Sequence, residues 1–134
     1  MLSNHAAWLK IAQDDLRAAK CLIGGELYSS SVSHCQQAAE KALKGFLVFK
    51  GQPIVKTHDL LLLLELCVSI DMNFKKLFED ANYINPLAVR FRYPTEFDIP
   101  ERDDAEQAVK HAQKILAFVL KKVSAPDTGQ EKLF

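Results

Sequence analysis

Apolar residues recur every three or four positions through almost the whole chain, and no segment alternates apolar and polar residues between Asn-Gly or Asp-Gly turns. That periodicity selects helices and leaves no candidate sheet. The chain has 134 residues, enough for one core but not two. With 5 Gly and 5 Pro it is also too poor in turn residues for a collagen-like or turn-dense all-β protein. The expected fold is all-α: an antiparallel up-and-down bundle of four to five helices, one domain over residues 1–123. Residues 124–134, which include Pro126 and Gly129, read as a disordered tail.

The first helix is expected from about Asn4 to Ile23, capped by Ser3 or Asn4 and stopped by Gly24-Gly25. At about 100° per residue, Trp8, Leu9, Ile11, Ala12, Leu16, Ala19, Leu22 and Ile23 share one arc. Asp15 projects into that arc, so it needs a partner or an opening to water. A second helix is expected from Ser30 to Lys50, with Ser29 or Ser30 as cap and Gly51 at its end. Its stripe is Val32, Cys35, Ala39, Ala42, Leu43, Phe46 and Leu47, and Gln36 falls inside it as a buried, hydrogen-bonded glutamine. Thr57 reads as the cap of a short helix, Asp59 to Ser69, whose Leu60–Leu64 run should be packed on several sides. A fourth helical segment, Asn73 to Arg90, has Leu77, Phe78, Ala81 and Ile84 as inward candidates and Pro86 as a kink or break. The last helix spans Asp103 to Val123.

Lys+Arg and Asp+Glu are both 17. Zero net charge disfavours a protein that coats phosphate backbone, though not a local basic site. Cys21, Cys35 and Cys67 are an odd count without CxxC spacing, so neither a disulfide framework nor a zinc cage is expected, and the thiols read as apolar filler. The N-terminal MLSNHAAWLKIAQDD lacks the layout of a signal peptide, and the longest apolar stretch falls short of the ~20 residues that span a bilayer. A soluble, cytoplasmic protein with no membrane partner and no cofactor is the expectation.

Three stretches offer chemistry. Gln37, Glu40, Lys41 and Lys44 lie on neighbouring turns of one helix face, where two ammonium groups can hold phosphate oxygens or pair internally on a solvated face. Thr57-His58-Asp59 places an imidazole at the start of a helix, beside backbone N–H groups that favour anions; packing of His58 against the second helix is the alternative. Arg90 and Arg92 straddle Phe91 before Tyr93-Pro94, a set that can hold a phosphate and a base or lock the bundle end to an acid such as Asp15 or Glu40. His34 and His111 stand alone, without metal-ligand spacing, and read as surface or edge histidines. No HExxH, P-loop or GxGxxG is present.

Four motifs, in order and spacing, resemble the HEPN domain family. They are A-x-x-D-L at Ala12–Leu16, C-Q-Q-A-A-E-K-A-L-K at Cys35–Lys44, K-T-H-D-L at Lys56–Leu60 and R-Y-P at Arg92–Pro94. The resemblance covers about Ala6 to Val123 and implies a helical bundle that pairs as a homodimer. Small prokaryotic members are similar to proteins encoded beside minimal nucleotidyltransferases, so it also implies a nucleotide, RNA or nucleotidyltransferase partner in a toxin–antitoxin-like system. On this resemblance Gln37, Lys41, Lys44, Thr57, His58, Arg90, Arg92 and Tyr93 are the phosphate- and nucleotide-binding candidates, and Tyr93 would stack on a base. Asp15, Gln36 and Glu40 are expected in a structural polar network; in the competing account Gln36, Glu40, Thr57, His58 and Arg92 form an internal network that fixes helix packing. The ribonuclease branch of the family carries an Arg and a His four to six residues apart. Here the nearest pair, Arg102 and His111, is nine apart and on opposite faces of one helix. The readings are therefore a binding module first, a metal-independent ribonuclease with His58 and Arg92 as catalytic candidates second, and a purely structural dimerisation domain third.

Overall fold

A computed structural model of the chain describes residues 4–90 and 99–124, apart from the side chains of residues 88–90. The expected positions of Arg90, Arg92, Tyr93 and the C-terminal tail thus lie outside the described side chains. Among the described residues there are five α-helices and no strand.

Asn4 is extended and its Oδ1 accepts the Ala6 N–H at 2.8 Å, starting α1 (His5–Gly24). The chain then reverses over Gly25–Leu27, with Glu26 in the left-handed region at φ 61°. The turn is so short that α2 (Tyr28–Phe49) begins at once, two residues before the expected start and without a side-chain cap. Ser29 and Ser30 are therefore inside the helix and do not cap it. Ser31, one turn in, is fully buried and donates its hydroxyl to the Ala19 carbonyl at 2.8 Å.

That contact and the approach of Gly45 to Leu9 fix an antiparallel α1–α2 register. A Cβ at Gly45 would sit 3.0 Å from Leu9 Cδ2 and 3.3 Å from Trp8 Cβ, so the two helices touch where a side chain is missing. The arc expected on α1 is buried at Leu9, Ala12, Leu16, Ala19 and Ile23, whereas Ile11 is exposed at its edge.

The connector after Gly51 (φ 75°) runs back along α2, so that the His58 carbonyl meets Gln36. Helix α3 (Leu60–Ile70) then follows α2 in the same sense, and the Cys67 thiol reaches the Leu43 carbonyl. Its cap is Asp59, not Thr57: Asp59 Oδ1 accepts from Leu61 and Leu62 N–H, and Thr57 Oγ1, two residues earlier, accepts the Asp59 N–H. Only Leu60, Leu63, Leu64 and Cys67 of α3 are buried; Leu62 is exposed, so the leucine run is not packed all round.

The fourth segment divides before its proline. Asp71 starts a 3-10 turn, Met72–Leu77, whose Phe74 packs between Phe46 and Phe118, and α4 (Phe78–Arg90) continues past Pro86. Phe78, expected inward, is exposed, while Leu77, Ala81 and Ile84 are buried. Helix α5 (Arg102–Ser124) runs antiparallel to the 3-10 turn and α4, meeting the turn through Asp71–Lys122 and Phe74–Phe118 and α4 through Asp80–His111.

Helices α1, α2, α4 and α5 thus alternate in direction, and α3 is an added layer beside α2. Leu43, Phe46, Leu60, Leu63, Phe74, Ile84, Ile115 and Val119 are fully buried at the centre. Each such side chain contributes about 1.5–3 kcal/mol by leaving water. Among the described residues no helix is long and apolar enough to cross a membrane.

Candidate functional site

Because α2 packs on α1 on one side and the α3 entry on the other, its polar residues cannot reach open water freely. Two groups result. On the α1 side, Asp15 stays at 13% side-chain exposure by accepting from Lys41 Nζ at 3.2 Å and meeting His34 Nδ1 at 3.2 Å. Lys41 also donates to Gln37 Oε1 at 3.1 Å. The acid that the sequence left without a partner is therefore held by the second helix, and His34 is not isolated.

On the α3 side Glu40 is buried, with Lys44 Nζ at 2.9 Å from Oε2 and His58 Nδ1 at 3.0–3.1 Å from both oxygens. Lys44 is buried too and lies 6.0 Å from the Trp8 ring centroid. The Gln37–Lys44 face is therefore only half solvated: Gln37 and Lys41 remain partly exposed, whereas Glu40 and Lys44 do not. Gln36 donates Nε2 to the His58 carbonyl at 2.7 Å, and its buried Oε1 has no partner among the described residues. The His58 ring itself is 83% exposed. It is oriented by a buried carboxylate through one nitrogen and is otherwise open to solvent.

The start of α3 differs from expectation. Asn85 Oδ1 accepts the Leu60 N–H at 3.1 Å, and Asp59 takes those of Leu61 and Leu62. The first N–H groups are already engaged, and the Asp59 carboxylate occupies the place an anion would take. The helix terminus therefore offers no free N–H group beside His58 at Leu60, Leu61 or Leu62.

Two thiols are inert: burial pushes Cys35 and Cys67 each up to about 12. Cys21 is exposed. A further cluster, Asp80–His111–Tyr83, joins α4 to α5 and was not legible in the sequence, because Asp80 and His111 stand far apart in the chain. Among the described residues no group of three or more His, Cys, Asp or Glu is placed to hold a metal ion.

An up-and-down helical bundle whose central helix carries a buried polar ladder defines the class of protein. The family follows from comparison: the HEPN domain model matches residues 5–123, and the chain belongs to the HEPN domain family. It is similar to the solved structure of TT1696 from Thermus thermophilus, at 31% identity over 88% of this chain and 97% of that one, TM-score 0.73. It shares its fold with ST0689, an archaeal HEPN homologue, at 24% identity over 90% and 98% of the two chains, TM-score 0.72. No curated protein matches the sequence.

Proposed function

We propose that this HEPN domain is a homodimeric binding module for a nucleotide, or for a nucleotide-bearing partner such as a minimal nucleotidyltransferase, in a toxin–antitoxin-like pair. One observation carries the reading: His58 is exposed, yet fixed by buried Glu40 on the helix that also presents Lys41. An ammonium has three donors, and two of those on Lys41 go to Asp15 and Gln37, which leaves one for a phosphate oxygen. Lys44 serves the site indirectly, by holding Glu40 in place. Arg92 supplies a second cation and Tyr93 a ring for the base. Pairing of two copies is supported by apolar surface around α3 and the start of α4, where Leu62, Met72 and Phe78 are exposed.

Calorimetric titration with a nucleoside triphosphate tests this. Wild type binds saturably; Lys41→Ala, His58→Ala and Arg92→Ala each weaken binding about tenfold, the equivalent of one charge-assisted hydrogen bond. Binding indifferent to all three refutes the site. Incubation with total RNA in EDTA separates the ribonuclease reading: intact RNA is expected, and cleavage abolished by His58→Ala would replace the binding module with an enzyme.

A further inference from the structure

Away from the α2 face, α4 and α5 enclose an open cleft of about 470 Å³ lined by Glu79, Asn82, Tyr83, Pro86, Leu87 and His111. We propose that this cleft is a second binding site, selective for an alkylguanidinium group. The argument starts from His111. Its Nδ1 lies 2.7 Å from Oδ1 of Asp80, a carboxylate only 5% exposed, and its ring stacks on Tyr83 at 4.6 Å and 29°. Both the position and the orientation of the imidazole are fixed. Nδ1 is committed to Asp80, and Nε2 is the ring nitrogen left to meet a ligand.

The rest of the lining also accepts hydrogen bonds more than it donates them. Glu79 is an exposed carboxylate at the cleft. Pro86 has no N–H, so the Asn82 carbonyl one turn earlier loses its ordinary helical donor. Among the described residues that line the cleft there is no Lys or Arg. Tyr83, Pro86 and Leu87 add flat and apolar surface. A ligand that fits this wall has several N–H donors, a positive charge and a slim apolar stem. Guanidinium matches a carboxylate bidentately and packs against an aromatic ring, which an ammonium does less well. Phosphate is disfavoured by Glu79, so the cleft and the α2 face take ligands of opposite charge. The same chemistry occurs in a free alkylguanidine and in the arginine side chain of a peptide.

The test is NMR titration of the full chain, with resolved histidine and tyrosine ring signals, using butylguanidinium, butylammonium, an arginine-containing tripeptide and inorganic phosphate. Butylguanidinium is expected to move His111 and Tyr83 saturably, more tightly than butylammonium, and to leave His58 unmoved. Glu79→Gln, at an exposed position that should not disturb folding, weakens it at least about fivefold, the equivalent of about 1 kcal/mol. Tighter binding of the tripeptide identifies a protein partner's arginine; tighter binding of the free guanidinium identifies a small molecule. Absence of saturation, equal response to butylammonium, indifference to Glu79→Gln, or a response to phosphate instead would overturn the proposal. None of these outcomes bears on nucleotide binding at His58.

Discussion

Replacing Glu40 by alanine removes the acid on which the α2–α3 junction depends. Its carboxylate accepts from Lys44 at 2.9 Å and meets His58 at 3.0 Å, and both Glu40 and Lys44 side chains are 8% exposed. Without it the Lys44 ammonium stays in a site that excludes water, against the Trp8 ring, with its ion-pair partner gone. Breaking a buried ion pair from one side costs about 3–5 kcal/mol, most of it the desolvation of the charge left behind. For a domain of this size that lowers Tm by roughly 10–20 °C. Removing both charges costs less than removing one, so Glu40→Leu combined with Lys44→Met should recover most of the loss. Urea unfolding followed by circular dichroism at pH 7 compares wild type, Glu40→Ala and the double variant. A Glu40→Ala loss below about 1 kcal/mol, the range of surface pairs, or a double variant less stable than the single, would refute the view of a buried, mutually dependent pair.

Other consequences are independent of that pair. Gly45→Val should destabilise by about 1–3 kcal/mol in the same assay, because its Cβ meets Leu9 and Trp8 at 3.0–3.3 Å and the branches have nowhere to go. A thiol reagent at pH 8 should modify only Cys21 in the folded protein and all three cysteines after unfolding, since burial holds Cys35 and Cys67 near 12. Burial pushes the Asp71 carboxyl up, but the Lys122 hydrogen bond, the Asn73 N–H and the charges of Lys122 and Lys50 outweigh it and hold Asp71 below the usual carboxylate value. A depressed folded value contributes stability above the unfolded one and loses it as pH falls. Urea midpoints of wild type and Lys122→Ala should therefore differ at pH 7 and converge below the carboxylate range.

The helical class was legible because the apolar spacing repeats within every segment, and the stripe on α2 points where its sequence says. Boundaries were less so. The start of α2 is set by a three-residue reversal, and the break before α4 by Phe74 packing between Phe46 and Phe118, neither of which is a local signal. Asp15 announced itself as a misplaced acid, yet its partners Lys41 and His34 lie on another helix. Glu40 and Lys44 looked like an exposed pair because spacing alone does not say that α1 and the α3 entry will cover that side of α2. The Asp80–His111 contact had no signature at all, since neither residue breaks the pattern of its own helix.

The central claim is that the outward edge of His58, held by Glu40, meets a phosphate-bearing ligand. Nitrogen-resolved NMR of the histidine side chains during addition of a nucleoside triphosphate reads this most directly. The account predicts a saturable change at His58 Nε2, with His111 unmoved and the change lost in Lys41→Ala. A His58 signal that ignores the nucleotide while the protein remains folded would contradict it.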